Sequence, residues 1–304
     1  MTVTAARARS SGVATRIGIQ GEPGSFSEEA AHRATAGAIE PVPFRDFLDV
    51  TRALASRTID IAVLPVENSL AGSVVASYDA ILAEPDVHAI GEVVIPIRHC
   101  LLGVKGATLD DVVSVESHPM ALAQCREFLR ARPQLDVRAS YDTAGSARDV
   151  VRRGDARHAA IASARAAERH GLTVLARNVE DRTDNATRFL ILSTADMTPD
   201  PSTRVRTIAV YTTANVPGAL LRTLEPLHAR HMNMVALQAR PAGTPWSYRF
   251  IVEFEHTGGL GAASDALEEM SAHTETLHRI GTFAPQSFHT SSRVSEPALT
   301  VNQV

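Results

Sequence analysis

One pattern recurs along the first two thirds of the chain and restricts its fold more than any other feature. An apolar run of strand length passes directly into a small polar capping residue, and an amphipathic helical stretch follows. Residues 112–116 lead to Ser117-His-Pro-Met120, residues 137–140 to Asp142-Thr-Ala-Gly-Ser-Ala147, and residues 159–162 to Ser163, with a helix ending near Gly171. Pro119 suits a first helical turn, and Gly171 suits a left-handed helix end. Earlier, residues 16–20 lead to Ser25, which with Glu28 forms a capping-box pattern, and the apolar run 58–65 leads to Glu67-Asn-Ser69. Alternating strands and helices predict α/β layers with parallel strands. The strand-to-helix turns at Ser25, Asn68, Ser117, Thr143 and Ser163 then offer free backbone N–H groups beside a hydroxyl or an amide, a combination that attracts a small anion. Ser27 and Ala144 lie in the first turns of two of these helices, and His118 follows Ser117 directly.

At 304 residues the chain is long enough for two or three compact units. A net charge of −4 leaves no basic footprint for nucleic acid. No apolar run approaches membrane-spanning length, and residues 1–15 read as a frayed tail without the apolar core of a signal peptide. Cys100 and Cys125 lie in apolar surroundings, as buried thiols of a reducing, cytoplasmic compartment would. Gly18, Gly21 and Gly24, with Glu40 downstream, suggest a dinucleotide turn, but that fingerprint requires its first two glycines one residue apart. Among the 12 histidines, the close pair His228 and His231 lacks a third ligand. No zinc, thiol-redox or P-loop motif occurs, so neither a metal nor a cofactor is expected.

The charge-rich segment 179–186 runs into the apolar strand 189–192, which places Asn185, Thr187, Arg188 and Phe189 at the mouth of a buried strand. A hydroxyl beside a guanidinium suits a substrate that carries carboxylates and loses an oxygen. An ordinary loop entering a strand would read the same way. Gln124 follows Ser117 by seven residues, two helical turns, and the two would share a face if the helix starts promptly. After a linker at 198–204, predicted elements at 206–212, 215–227, 233–239, 246–255, 262–272 and 276–283 give a separate βαββαβ unit spanning 205–284, followed by a loose tail at 285–304.

With Gly21-Glu-Pro-Gly-Ser-Phe-Ser27, Pro65-Val-Glu-Asn-Ser69, Glu116-Ser-His-Pro119, Asp142-Thr-Ala-Gly-Ser-Ala147 and Asn185-Ala-Thr-Arg-Phe189 in this order, the chain resembles the prephenate dehydratases. The resemblance implies a catalytic region, 16–197, similar in fold to type 2 periplasmic binding proteins. One lobe would comprise 16–97 with 187–197 and the other 98–186, with the active site between them and an ACT regulatory domain following. It also implies cofactor-free conversion of prephenate to phenylpyruvate, water and carbon dioxide in phenylalanine biosynthesis. Thr187 would donate to the leaving oxygen, and Arg188 would hold a carboxylate or else support its loop. Glu67, Asn68, Ser117 and Gln124 would share in catalysis, and Ser25, Ser27, Ser69, His118, Thr143, Ala144, Ser163, Asn185 and Phe189 would line the substrate site. Pro217, Gly218, Ala219, Leu220 and Leu221 match a phenylalanine-binding helix entry at a dimer interface. Gln238, Ala239, Arg240 and Pro241 stand where the family usually has Glu-Ser-Arg-Pro, and Met120 stands where many relatives have Gln. A homodimer or homotetramer is implied. The competing readings are an arogenate dehydratase and an amino-acid-binding sensor without turnover.

Overall fold

A computed structural model describes residues 14–35, 37–243 and 247–286. The chain begins with β1 (Thr15–Gln20), α1 (Phe26–Ala34), β2 (Ile39–Phe44), α2 (Phe47–Ala55), β3 (Ile61–Asn68), the short β4 (Gly72–Ser73), α3 (Val75–Leu82) and β5 (His88–Pro96). It then crosses into a second sheet made of β6 (Cys100–Gly103), β7 (Ser114–Ser117), β8 (Asp136–Ala139), β9 (His158–Ala162) and β10 (Thr173–Arg177). Between these strands lie α4 (Pro119–Ala123), α5 (Arg126–Arg130), α6 (Thr143–Arg153) and α7 (Ala164–His170). β11 (Ala186–Ser193) returns to the first sheet, between β5 and β3. The result is two α/β lobes joined by two crossover segments that run side by side: Ile97 N–H donates to Asn185 O at 2.9 Å, and Val179 N–H to His99 O at 3.0 Å.

The sheets are mixed, not purely parallel. β1 pairs in parallel with β2 and β3, and β7 with β8 and β9, whereas β11 and the β6–β10 edge run antiparallel because they enter from the crossovers. Along β11 the side chains alternate between two cores. Phe189 and Ile191 pack with Ile17, Ile19 and Ile95 under α1, while Leu190 and Leu192 pack with Leu64, Tyr78 and Ile81 under α2 and α3. Gly18 lies within β1 rather than in a loop, and Glu40 lies on β2 paired with Arg16, so no dinucleotide turn forms.

The C-terminal unit is β12 (Val205–Thr212), α8 (Ala219–Ala229), β13 (Asn233–Pro241), β14 (Tyr248–His256), α9 (Gly259–Ser271) and β15 (Thr276–Phe283). Its sheet order, β13-β14-β12-β15, is the antiparallel βαββαβ arrangement expected from the sequence. Trp246 and the segments 1–13 and 287–304 lie outside the described residues. One side of this sheet packs on α8 and α9; from the other, Ile208, Val210, Ile251 and Ile280 join the core of the first lobe. β15 also pairs with β5 at Gly281 and Ala89, so a single sheet runs through both units. A Cβ on Gly281 would stand 2.0 Å from the Ala89 carbonyl oxygen, an approach only glycine permits. The segment 198–204 is packed rather than free: Pro201 O accepts from Gly258 N–H.

Candidate active site

The end of β3 lies beside the start of the antiparallel β11, with Asn68 opposite Thr187. Asn68 does not cap a helix, since α3 starts only at Val75; its Oδ1 instead accepts from the N–H groups of Leu70 and Ala71 at 3.0 and 2.9 Å, closing a turn into β4. These two bonds fix the amide orientation, so Nδ2 faces β11. There it lies 2.8 Å from Asn185 Oδ1, 3.1 Å from Ala186 O and 3.0 Å from Thr187 Oγ1. The Thr187 hydroxyl therefore accepts from Asn68, and its own proton is left to point elsewhere. Ser69 Oγ accepts from Ala186 N–H and donates to Asp184 O, which fixes the same loop. Asn185 is buried, with its Nδ2 unpartnered among the described residues.

On the α1 side of the sheet, the two lobes meet around a cavity of about 150 Å³ lined by Gln20, Ser25, Ser27, Asp142, Thr143 and Ser163 among others. Ala144 and Phe26 also line it. Ser25 caps α1 through Glu28 N–H, as expected, but Glu28 reaches back to Gly24 N–H at 2.6 Å rather than to Ser25. The cap of α6 is Asp142, whose Oδ1 accepts from Gly145 N–H at 2.7 Å; Thr143 is the first helical residue instead of the cap. First-turn amides have no intrahelical acceptor, so two helix N-termini, one from each lobe, aim donors at this cavity. Ser163 caps α7 as expected, and its hydroxyl also crosses the gap to Gly24 O at 2.7 Å. Gly24 cannot carry a side chain here: it has φ +91°, and its Cβ would stand 2.8 Å from Ala166 Cα. Arg165 to Glu28 at 3.1 Å and Arg148 to Glu22 at 3.0 Å add two ion pairs between the lobes.

Gln124 lies at the end of α4, where its Oε1 meets His99 Nε2 at 3.0 Å. His99, on the crossover, was not singled out from the sequence, where Arg98-His99-Cys100 reads only as a connection. Its burial lowers the imidazole pKa against the opposing Gln124 bond, so the ring is neutral at pH 7, with its proton on Nε2. The Gln124 NH2 is then turned away from the ring. Phe26 of the cavity wall packs edge-on against His99 at 5.7 Å, which joins this pair to the cleft.

Asn68, Ser69, Asn185, Thr187 and Gln124 are not among the residues that line this cavity, and other expected members sit apart as well. Ser117 does not cap α4; it is fully buried at the end of β7, and its hydroxyl donates to Ile161 O at 2.7 Å. His118 is the α4 cap, accepting from Met120 N–H through Nδ1 at 3.2 Å. Phe189 is buried core. Arg188 points to the face opposite Thr187, since neighbouring strand residues alternate. Its guanidinium is engaged by Glu67, Glu92 and Glu253, a geometry that suits the supporting role left open beside carboxylate binding. In the C-terminal unit, Gly218 caps α8 with φ +76°, Ala219 is buried and Leu221 is exposed. On β13, Gln238 and Arg240 alternate with Leu237, which packs toward the helices, so they face the opposite side.

Two α/β lobes around an amide-lined cleft, extended by a βαββαβ unit, define the class of protein. The sequence profile of prephenate dehydratase matches residues 17–197, and the chain belongs to the prephenate dehydratase family, a family of enzymes. It is 34% identical over 284 residues to the arogenate dehydratase/prephenate dehydratase 2, chloroplastic, of Arabidopsis thaliana, covering 90% of this chain and 74% of that one. It is 35% identical to the bifunctional N-acyl-homoserine lactone acylase/prephenate dehydratase of Komagataeibacter europaeus, covering 90% of this chain and 96% of that one. The crystal structure of prephenate dehydratase in complex with L-Phe from Arthrobacter aurescens superposes with a TM-score of 0.81 at 27% identity, covering 89% of this chain and 90% of that one.

Proposed function

We propose that this enzyme converts prephenate to phenylpyruvate, and that Thr187 delivers the hydrogen bond or relayed proton to the departing ring hydroxyl. The observation that supports this reading is the direction of the Asn68–Thr187 bond, which frees the threonine proton. As the bond to the ring carboxylate breaks, its electrons enter the ring and expel the hydroxyl; the proton taken up there makes water, and carbon dioxide departs. Aromaticity supplies the drive, so orientation and one positioned donor suffice. The amides at the α1 and α6 N-termini would hold carboxylate, and the Gln124 NH2, set by His99, would donate nearby. Appearance of phenylpyruvate absorbance on adding prephenate tests this; no product from the folded enzyme would refute it.

A second reading is favoured by Asp142. Its Oδ1 serves the α6 cap, and its Oδ2 lies 3.9 Å from where a Gly21 Cβ would stand, on the cavity wall. A carboxylate there suits the ammonium of arogenate better than the keto oxygen of prephenate. Parallel assays decide between them: Asp142→Asn keeps a capping residue, and if arogenate is a substrate its kcat/KM falls by about tenfold relative to prephenate.

The C-terminal unit is read as an ACT domain that binds phenylalanine near Gly218 and Gln238. Val216, Leu221, Met234, Val235 and Tyr248 leave apolar side chains exposed on it, as a homodimer or homotetramer contact would need. Calorimetric titration with phenylalanine beside the rate assay tests the effector, and light scattering tests the assembly. No helix among the described residues is long and apolar enough to cross a membrane. The buried thiols Cys100 and Cys125 fit a cytoplasmic site.

A further inference from the structure

Arg188 adjoins Thr187 and Glu67 adjoins Asn68, and both are drawn into one ionic cluster on the opposite face of the sheet, buried at Arg188, Glu92 and Glu253 and open to solvent at Glu67. Arg188 Nη1 and Nη2 donate to the two carboxylate oxygens of Glu253 on β14 at 2.9 and 2.7 Å. Its Nε donates to Glu67 at 3.1 Å, and Nη1 also reaches Glu92 on β5 at 3.2 Å. Glu253 is 1% exposed and takes a further bond from the Tyr78 hydroxyl of α3 at 2.9 Å. Beyond it, Arg206 of β12 bridges Glu92 at 2.9 Å and Glu255 at 2.8 Å, and Arg204 pairs with Glu255. A buried ion network is weak ground for stability, because an apolar set of equal volume is commonly as stable. This network does supply direction. A bidentate guanidinium–carboxylate pair holds both planes in one orientation; here it ties β11 to β14, while the Nε bond to Glu67 ties β11 to β3 one residue beyond the Asn68–Thr187 bond.

We propose that Glu253 is a positioning residue for the dehydratase site: acting through Arg188 and Glu67, it keeps Thr187 and Asn68 in hydrogen-bond register, so displacement of β14 loosens the donor. The proposal rests on the functional reading above and makes the C-terminal unit part of the machinery that aims the hydroxyl. It also gives the effector domain a physical route to the site, since β14 pairs directly with both β12 and β13.

The test compares Glu253→Gln with Glu255→Gln, a member of the same cluster that does not touch Arg188, by steady-state kinetics on prephenate and arogenate. Glu253→Gln is expected to lower kcat about tenfold with KM within about twofold of wild type, the pattern of a lost transition-state interaction. Glu253→Asp should recover part of the loss, and Glu255→Gln should match wild type. Unchanged kcat in folded Glu253→Gln, or an equal loss in Glu255→Gln, overturns the proposal. Should Glu253→Gln fail to fold, Tyr78→Phe removes one bond to the same carboxylate; a lower kcat at unchanged KM supports the proposal, and a wild-type kcat overturns it. If the wild-type enzyme turns over neither substrate, the functional reading falls, and hydrogen exchange over residues 185–190 decides instead. Faster exchange in Glu253→Gln than in Glu255→Gln supports the positioning role, and equal rates overturn it.

Discussion

Thr187 is 9% exposed, and its hydroxyl is held by the bond it accepts from Asn68, so its usefulness depends on which way that bond points. Thr187→Val keeps the β-branched shape that suits the strand and removes only the donor. It is expected to lower kcat by about 10²-fold or more, the usual contribution of a positioned proton donor, with little change in the thermal midpoint. Asn68→Asp is the sharper test. The carboxylate still accepts from Leu70 and Ala71, so the turn survives, but its second oxygen becomes an acceptor and draws the threonine proton inward. A comparable loss of kcat is expected, measured beside a melt that shows the fold intact. The place of Thr187 at the mouth of a strand was legible in the sequence because a polar loop meets an apolar run there. His99 was not, because its partner Gln124 is 25 positions away and no local spacing links the two.

Elements were easier to read than their ends. β15 spans the expected 276–283, while β3 begins three residues later than expected and runs on through Asn68, which moves Glu67 and Asn68 from a helix cap into the strand. Periodicity locates an element, but the end is set by hydrogen bonds such as the Asn68 turn, which local pattern does not reveal. β2 and β10 were not expected at all. Ile39-Glu-Pro-Val-Pro-Phe44 is interrupted by prolines, and its burial is incomplete, as befits an edge strand beside β1. At α1 the element carries its own prediction. Glu28 accepts from Gly24 N–H through one oxygen and from Arg165 of the other lobe through the second. Burial pushes its pKa up, but those two partners outweigh it and hold the carboxyl below the usual value. Glu28→Gln keeps the shape and loses the charge that ties the lobes together. A KM several-fold higher, with a smaller change in kcat, is expected from steady-state kinetics, because the cleft is then less often closed when substrate arrives.

Across the whole molecule, the contacts that join units were the least legible, since Arg188 to Glu253 spans 65 positions and Arg206 to Glu92 spans 114. The same burial sets how stability follows pH. Burial lowers the pKa of His99, of His32 with help from Arg165, of His256, and of His278 with help from His88 and Arg279. Each imidazole therefore takes up its proton more readily in the unfolded chain, so stability falls as pH drops below about 6.5, the unfolded value. Glu28, held low by the Gly24 N–H and Arg165, and Glu255, held low by Arg204 and Arg206, each against the cost of burial, extend the loss as pH falls through the carboxylate range. On the alkaline side, burial raises the thiols of Cys100 and Cys125, so the unfolded chain ionises first and stability falls above about pH 8.5. Urea midpoints measured from pH 5 to 9.5 should therefore form a plateau between those two values and decline on either side. Replacing His99 with Gln, which keeps a donor toward Gln124, should flatten the acid limb without moving the alkaline one; an acid limb unchanged by that substitution would show that His99 contributes nothing to it.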